Sequence, residues 1–279
     1  MVTRRDWLRT ATARLTAAGC EDAAFDARCL LEDLGGMPRG QAADDTPLTE
    51  AQDAALATAL EQRAAGRPLQ YILGQWEFLT LTLTVGEGVL IPRPDTELLC
   101  EATAQRLKGV FAPRVLDLCA GSGCVGLGVA SLTPTAQVTA VELSDAAYGY
   151  LEQNVCRYPA YAVTPRRADV LRDYADFAGP YDAIVSNPPY IPTADLAGLQ
   201  REVRQEPTMA LDGAEDGLLF YRTFAEHWCD KLTSDGFMAV EVGVGQAADV
   251  AALFAASGLE NTEILTDMGG VQRVVIARK

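Results

Sequence analysis

The fold is decided by one stretch of the chain, Val115-Leu116-Asp117-Leu118-Cys119-Ala120-Gly121-Ser122-Gly123-Cys124-Val125-Gly126. Its first two glycines let the backbone turn tightly and approach a ligand, and the helix that follows offers free N–H groups. The Gly-x-Gly-x-x-Gly spacing alone also fits a nicotinamide or flavin fold. A carboxylate inside the strand end favours another ligand, because it can pair with an ammonium group such as that of a methionine moiety. We therefore predict a cofactor site at Asp117, Cys119, Ala120, Gly121, Ser122 and Gly123.

Strands and helices alternate around this stretch, from about residue 94 onward. Short apolar or β-branched runs predict strands at 114–118, 137–141, 181–186 and 236–242, and helical stretches separate them at 123–131, 144–157, 216–232 and 246–256. Such alternation indicates an α/β fold, a mostly parallel sheet with helices on both faces. Sheets of this kind bind ligands outside the carboxyl ends of their strands, where the strand order reverses.

Carboxylates close two further strand regions. Glu142 follows the glycine loop by about 20 residues, where an acid can accept both hydroxyls of a ribose. The third region ends in Ala168-Asp169-Val170, so Asp169 can accept a hydrogen bond from an adenine amino group and Val170 can cover the ring. For Glu142, a strand-end acid that is simply solvated is the alternative. Together with the glycine loop, these residues indicate a site for adenosine.

The tetrapeptide Asn187-Pro188-Pro189-Tyr190 comes directly after the predicted strand 181–186. Asn187 presents a carbonyl oxygen that can accept a hydrogen bond from an NH₂ group. The two prolines hold the loop extended, so that a backbone carbonyl points at the same nitrogen, and Tyr190 offers a flat wall for a planar amide or base. A Pro-Pro pair that simply ends a strand is the alternative. We predict that all four residues are catalytic, and that Asn187 also borders the cofactor.

Composition narrows the chemistry further. A formal net charge of −15 on 279 residues disfavours direct nucleic-acid binding, since phosphate recognition normally needs a basic face. The single histidine, His227, and seven scattered cysteines without a Cys-x-x-Cys pair disfavour hydrolases, metal sites and disulfide frameworks. No apolar run approaches the ~20 residues that cross a bilayer, and none follows Arg4-Arg5 as in a secretory signal. We therefore expect a cytoplasmic protein with no metal and no membrane association.

The first part of the chain has a different pattern of apolar residues, which predicts helices followed by a short strand. Residues 3–66 predict three helices, with Trp7, Ala11 and Leu15 on one face of the first helix. Leucines alternate with threonines over 79–84, which predicts a strand, and 89–91 is expected to return as its hairpin partner after the Gly-Glu-Gly turn. The predicted domains are a helical unit for substrate recognition over 1–70, with a packing appendage as the alternative, a β-hairpin linker over 71–93 and an α/β domain over 94–279.

The glycine loop and the acidic second strand resemble those of class I S-adenosylmethionine-dependent methyltransferases, and Asn-Pro-Pro-Tyr is similar to the motif of enzymes that methylate adenine, cytosine or glutamine. Further segments look like the HemK/PrmC family, which methylates the glutamine of the Gly-Gly-Gln motif in peptide-chain release factors. These segments are Pro-Leu-Gln-Tyr-Ile-Leu-Gly-Gln-Trp-Glu-Phe at 68–78, Leu-Ile-Pro-Arg-Pro-Asp-Thr-Glu at 90–97, Glu-Pro at 206–207 and Ala-Leu-Asp-Gly-Ala-Glu-Asp-Gly-Leu at 210–218. The resemblance covers essentially the whole chain.

This resemblance implies a Rossmann-like fold, S-adenosyl-L-methionine as cofactor and release factors as protein partners. Two departures stand out: Cys119-Ala120 replaces the usual Gly-Thr, and 269–273 replaces a more polar segment that we expect to lie away from the site. The alternatives are a DNA or RNA adenine methyltransferase with the same tetrapeptide, a non-catalytic module that senses the cofactor, and a nicotinamide dehydrogenase. Which release factor is preferred, the oligomeric state and the role of the loop cysteines are not specified by the sequence.

Overall fold

Helices make up the smaller of two units in the computed structural model, which describes residues 2–279. This unit contains the chain up to Gln75 together with Gln200–Gln205. Its helices are α1 (Arg4–Ala17), α2 (Ala23–Asp33), α3 (Glu50–Ala64) and α4 (Leu69–Leu73). The predicted apolar face of α1 is buried, and the side chains of Thr3 and Thr49 cap α1 and α3. Each threonine accepts a hydrogen bond from a backbone N–H that the helix itself cannot satisfy.

The short segment Gln200–Gln205 joins this helical unit through polar contacts. Buried Arg63 of α3 donates to Asp26 of α2 at 2.6 Å and to Glu202 at 2.8 Å. The side chains of Arg201 and Gln205 donate to the carbonyl oxygens of Ala64 and Gly66. A stretch that lies more than a hundred residues later in the sequence thus completes the helical unit.

A two-stranded hairpin opens the second part of the chain, with β1 (Gln75–Phe78) paired to β2 (Leu81–Thr84). The expected return strand at 89–91 is wrong, because 85–93 has no regular structure and the partner of β2 precedes it. Phe78, Leu81 and Leu83 are buried in the hydrophobic core of the larger unit. The hairpin was expected to be a linker, but most of it belongs to the larger unit, Trp76–Leu199 and Glu206–Lys279.

The larger unit is built on a seven-stranded sheet in the order β5-β4-β3-β6-β7-β9-β8. Its elements in chain order are α5 (Glu97–Arg106), β3 (Arg114–Leu118), α6 (Cys124–Leu132), β4 (Gln137–Glu142), α7 (Asp145–Arg157), β5 (Ala162–Arg167), β6 (Tyr181–Ser186), α8 (Leu219–His227), β7 (Leu232–Glu241), α9 (Ala247–Ala256), β8 (Glu260–Thr266) and β9 (Gln272–Arg278). The strands are parallel except β9, which runs antiparallel to β7 and β8. The expected Rossmann-like α/β fold is confirmed.

Each face of the sheet is covered by its own apolar core. Leu99, Leu127 and Leu151 bring α5, α6 and α7 onto one face, while α8 and α9 contribute aromatic residues such as Tyr221 and Phe254 to the other. Because parallel strands are buried on both faces, they read as continuous apolar runs. Strands β8 and β9 were not predicted: β8 is mostly exposed, whereas β9 does contain a buried apolar run, Val274–Ala277.

The chain order of the strands reverses between β3 and β6. After β3 the chain adds β4 and β5 on one side, then crosses to place β6 on the other side of β3. Leu118 pairs with Ser186, so Cys119 and Asn187 are the first residues beyond two adjacent strand ends. The two motifs singled out in the sequence therefore meet at the switch point, where α/β sheets bind ligands. Within residues 2–279, no helix is both long and apolar enough to cross a membrane.

Candidate active site

A cavity of about 480 Å³ lies at the carboxyl ends of β3, β4 and β6. Most of the predicted site residues border it: Cys119, Ala120, Gly121, Ser122, Glu142, Asp169, Val170, Asn187 and Pro189. The cavity wall does not include Asp117, Gly123, Pro188 or Tyr190. The structure thus brings the predicted cofactor and catalytic residues to one cavity, with four of them behind its surface.

The glycine loop is shaped by left-handed backbone conformations. Gly121 has φ 57° and Gly123 has φ 85°, both accessible to glycine at little steric expense. Cys119 has φ 61°, a conformation that side chains with a Cβ adopt rarely. The loop is anchored to β4, because the Ala120 N–H donates to the carbonyl of Val141 at 2.9 Å.

Glu142 closes β4 and receives hydrogen bonds from three backbone N–H groups. Gly121 donates to Oε2 at 2.8 Å, while Leu143 and Ser144 donate to Oε1 at 2.8 and 2.7 Å. Burial raises the pKa of this carboxyl, and these three donors oppose the rise. Glu142 therefore fixes the glycine loop, and since a carboxylate has about four acceptor positions, only part of its capacity stays open for a ribose.

Asp117 lies on β3 and is fully buried. Its Oδ2 accepts a hydrogen bond from the Gly126 N–H at 2.8 Å, whereas Oδ1 is buried with no hydrogen-bond partner among the described residues. Burial raises the pKa of Asp117 to about 8, against the opposing effect of the Gly126 N–H. An unpaired buried carboxyl beside the glycine loop is a group that a ligand ammonium would satisfy.

Asp169 and Val170 follow β5 in a turn held by its own backbone. The Leu171 N–H donates to Asp169 Oδ1 at 2.9 Å, and the Asp169 N–H donates to Asp173 at 2.8 Å. The indole of Trp228 donates to the Val170 carbonyl at 3.1 Å. Together with the apolar side chains of Leu143, Ala146 and Ala147, this turn forms a wall suited to a flat ring. The cavity wall therefore suits an adenosine, with the Asp117 carboxyl buried behind it.

Asn187 is held by a hydrogen-bond chain that sequence reasoning did not find. Its Nδ2 donates to Thr96 Oγ1 at 3.1 Å, and that hydroxyl donates to Glu241 Oε2 at 2.6 Å. Thr96 and Glu241 are each 1% exposed. Thr96 borders the cavity and lies in the 90–97 segment, which carried the resemblance but received no assigned role.

The segment at 269–273 was expected to lie away from the site, and it contributes no residue to the cavity wall, but Arg273 acts electrostatically on Glu241. Arg273 contacts Asp267 at 3.1 Å and Asp95 at 3.4 Å, and its charge lowers the pKa of Glu241. Burial acts in the opposite direction and is the larger effect, so that the pKa of Glu241 rises to about 7. The strand β9 brings Arg273 here through its pairing with β7, and the sequence carries no local sign of that pairing.

The rest of the tetrapeptide loop is fixed from behind. Gln246 donates to the Tyr190 carbonyl at 2.9 Å, and Ile191 pairs with Asp212 as an isolated β-bridge. Gly213 packs so closely that an added Cβ would lie 2.8 Å from the Tyr190 Cα. Burial raises the pKa of the Tyr190 phenol to about 12. The side chain packs against the apolar core that α8 and α9 cover, so its expected role as a wall for the substrate stays a prediction.

The opposite wall of the cavity is formed by two segments that the sequence analysis did not assign to the site. Leu90, Ile91, Pro92 and Arg93 come from one segment, and Pro207, Met209, Ala210, Asp212, Ala214, Leu219 and Phe220 come from the other. Buried Glu206 ties them together, because it accepts the Ile91 N–H at 2.9 Å and pairs with Arg93. Both segments were quoted for the family resemblance, which was the available signal that they border the site.

Comparison with known proteins agrees with this geometry. Family models match the PrmC N-terminal domain over residues 6–74 and the methyltransferase small domain over residues 94–205. The chain is 40% identical over 276 residues to the release factor glutamine methyltransferase of Geobacter sulfurreducens, covering 98% of this chain and 94% of that protein. It is 36% identical over 282 residues to the protein of the same name from Deinococcus radiodurans, covering 99% and 98%.

Among solved structures, a 16S rRNA methyltransferase from T. thermophilus in complex with AdoMet and guanosine superposes with a TM-score of 0.52. The match covers 74% of this chain and 49% of that one at 22% identity, which shows a shared fold. The expected S-adenosylmethionine-dependent methyltransferase is confirmed by the full-length relatives and by the sheet order. The chain belongs to the release factor glutamine methyltransferase family.

Proposed function

We propose that this protein transfers a methyl group from S-adenosyl-L-methionine to the side-chain amide nitrogen of the glutamine in the Gly-Gly-Gln motif of peptide-chain release factors. The helical unit would recognise the factor, and the cavity of the larger unit would hold the glutamine and the cofactor. Since release factors act in translation termination, the reaction would take place in the cytoplasm. The names of the full-length relatives support this choice of substrate.

The observation that carries the proposal is the orientation of Asn187 in the shared cavity. Its amino end is engaged by Thr96, so its carbonyl oxygen is the end that can accept a hydrogen bond from a substrate NH₂ group. The residue lies one position beyond Ser186, whose strand partner Leu118 leads into the glycine loop. An amide bound to Asn187 would therefore lie next to the cofactor site.

Bound S-adenosylmethionine supplies a methyl group attached to positively charged sulfur. We assign the ligand ammonium to Asp117, the glycine-loop contacts to Cys119, Ala120, Gly121, Ser122 and Gly123, the ribose to Glu142, and the adenine to Asp169 and Val170. The turn Gly121–Gly123 and the anchored carboxylate of Glu142 give these contacts a preformed frame. Little reorganisation would then be needed on binding.

Amide nitrogen is a poor nucleophile because its lone pair is delocalised. Asn187 Oδ1 and the Pro188 carbonyl would accept its two N–H groups, leaving the lone-pair direction toward the methyl group. Both acceptors would also stabilise the positive charge that develops on the nitrogen. Orientation of this kind lowers barriers by up to ~7–11 kcal/mol. The carbon–sulfur bond would break as the nitrogen–carbon bond forms, leaving S-adenosylhomocysteine. The proton would leave the methylated nitrogen for water afterwards, so no general base is needed before attack. His227 takes no part, as its ring stacks on Tyr174 with centroids 3.9 Å apart.

The test is a methyl-transfer assay with S-adenosylmethionine labelled on its methyl group. The purified protein is incubated with a peptide-chain release factor, and in parallel with the same factor carrying alanine in place of the Gly-Gly-Gln glutamine. We expect label in the unaltered factor and none in the altered one. Label that enters DNA or RNA instead would contradict the proposed substrate but not the fold or the cofactor.

A further inference from the structure

The relay formed by Asn187, Thr96 and Glu241 joins three distant segments of the larger unit. Asn187 follows β6, Thr96 lies in a single 3₁₀ turn before α5, and Glu241 ends β7. The contacts are 3.1 Å from Asn187 Nδ2 to Thr96 Oγ1 and 2.6 Å from that hydroxyl to Glu241 Oε2. Since Thr96 and Glu241 are almost completely buried, water does not compete for these bonds.

When Glu241 is ionised, the hydrogen bonds of the relay can run in only one donor-to-acceptor direction. A carboxylate only accepts hydrogen bonds, so the single proton of Thr96 must be donated to Glu241. The Thr96 oxygen can then only accept from Asn187, which requires the NH₂ end of the amide. The two ends of an asparagine amide have nearly the same size, so packing hardly distinguishes them and the hydrogen-bond partners decide.

We infer that Thr96 and Glu241 are positioning residues, which fix the Asn187 amide with its carbonyl oxygen toward the substrate nitrogen. The inference rests on the proposed function and deepens it. With the amide turned over, an NH₂ group would face the substrate NH₂ group, and the acceptor would be lost at the reacting nitrogen. The relay thus selects the orientation in which Asn187 can hold an amide ready for attack.

The protonation state of Glu241 decides which group donates and which accepts in each hydrogen bond of the relay. Burial raises its pKa to about 7, while Thr96, Arg273 and Arg93 lower it and Asp95 raises it. The phenol of Tyr221 on α8 donates to the Glu241 backbone carbonyl at 2.8 Å, and Tyr190 also lies nearby. A protonated Glu241 carries its own proton and can donate to Thr96, whose hydroxyl is then free to donate to Asn187 Oδ1. Acid therefore permits the reversed orientation.

The experiment compares Thr96→Val, which has nearly the same shape but no hydroxyl, with Thr96→Ser, which keeps the hydroxyl. Thr103→Val is the matched control, since it removes another fully buried threonine hydroxyl that bonds only within α5, to Leu99 at 2.8 Å. We expect Thr96→Val to lower kcat on a release factor by roughly tenfold or more with cofactor affinity unchanged. Thr96→Ser should restore most of the activity, and Thr103→Val should be close to the wild type.

The pH profile supplies a readout that a purely structural role would not change. The wild-type kcat should fall as the pH is lowered through the region near 7, and Glu241→Gln should remove this limb because its side chain does not titrate. Full activity in Thr96→Val, or equal losses in Thr96→Val and Thr96→Ser, would overturn the relay. If wild type labels no release factor at all, the proposed function fails instead, and the two failures are distinguished by the wild-type assay.

Discussion

The two loops that meet at the switch point are held in different ways. The glycine loop is fixed within one continuous stretch of chain, by its own glycines, by Glu142 at the end of the neighbouring strand and by Asn154 of α7, which donates to the Ser122 carbonyl at 2.9 Å. The Asn187 loop is fixed from distant segments, through Thr96 before α5, Gln246 at the start of α9 and the stretch around Gly213. The cofactor side of the site is therefore locally encoded, whereas the substrate side depends on the assembled fold.

The largest expected effect comes from a substitution that changes only the substrate side of the site. Asn187→Ala should lower methyl transfer by roughly a hundredfold or more, because it removes an acceptor aimed at the charge that develops on nitrogen. Cofactor affinity should stay near that of the wild type, as the glycine loop does not depend on this side chain. Binding of S-adenosylmethionine by calorimetry and turnover with labelled cofactor measure the two quantities. Retained turnover would contradict the role of Asn187.

The next effect concerns the buried carboxyl behind the glycine loop. The folded pKa of Asp117 is raised to about 8 from 3.8, so the folded state holds a proton that the unfolded state loses between these values. Stability contributed by this group is therefore present below pH 4 and lost as the pH rises toward 8. Because linkage changes stability by about 1.4 kcal/mol per pH unit between these two pKa values, Asp117→Asn should stabilise the cofactor-free protein at pH 8 by up to about 5 kcal/mol, with no difference near pH 4.

Chemical denaturation of both proteins across this pH range measures the difference. The same variant should bind S-adenosylmethionine more weakly if Asp117 pairs with the ligand ammonium, so stability and affinity should change in opposite directions. An unchanged affinity for S-adenosylmethionine would show that Asp117 does not contact the cofactor. The expected effect of Asp117 on stability would not be affected by that result.

The cofactor side of the site was easier to predict from the sequence than the substrate side. Asp117, Gly121 and Glu142 lie close together along the chain, and their spacing was enough to predict the fold and the glycine-loop part of the cavity wall. Thr96, Glu241 and Arg273 come together only when β7 and β9 pair beside β6, and no periodicity within a single segment reports that pairing. The hairpin partner of β2 was missed for another reason: Gln75-Trp76-Glu77-Phe78 does alternate polar and apolar residues, but the strand is only four residues long and directly follows a helix.

A smaller effect tests how the Asn187 loop is supported from behind. Gly213→Ala would place a methyl group 2.7 Å from the Gly217 Cα and 2.8 Å from the Tyr190 Cα, so the backbone packed around Tyr190 must shift. We expect about a tenfold loss of kcat with cofactor affinity retained. Gly149→Ala is the control, because its added Cβ meets nothing within 4 Å on α7. Equal activity of the two variants would show that the loop tolerates displacement.

The smallest effect lies in the glycine loop itself. Cys119→Gly should relieve a left-handed backbone at φ 61°, raising the free energy of unfolding by up to about 1 kcal/mol. Ala112→Gly, at φ 46° and outside the cavity, should have a similar effect. Thermal unfolding compares the two. Destabilisation by Cys119→Gly alone would indicate that the thiol makes packing contacts worth more than the strain.

The segment Gln200–Gln205 limits how the helical unit can be exchanged with that of another protein. A chimera that exchanges only the first 75 residues would transplant Arg63 without Glu202 and Ala64 without Arg201, leaving a buried guanidinium short of one partner. The exchangeable module is therefore discontinuous: it consists of the N-terminal stretch and six residues from the middle of the methyltransferase sequence. A protein that acquires a different helical unit must receive both pieces, so these two stretches of sequence are constrained to change together.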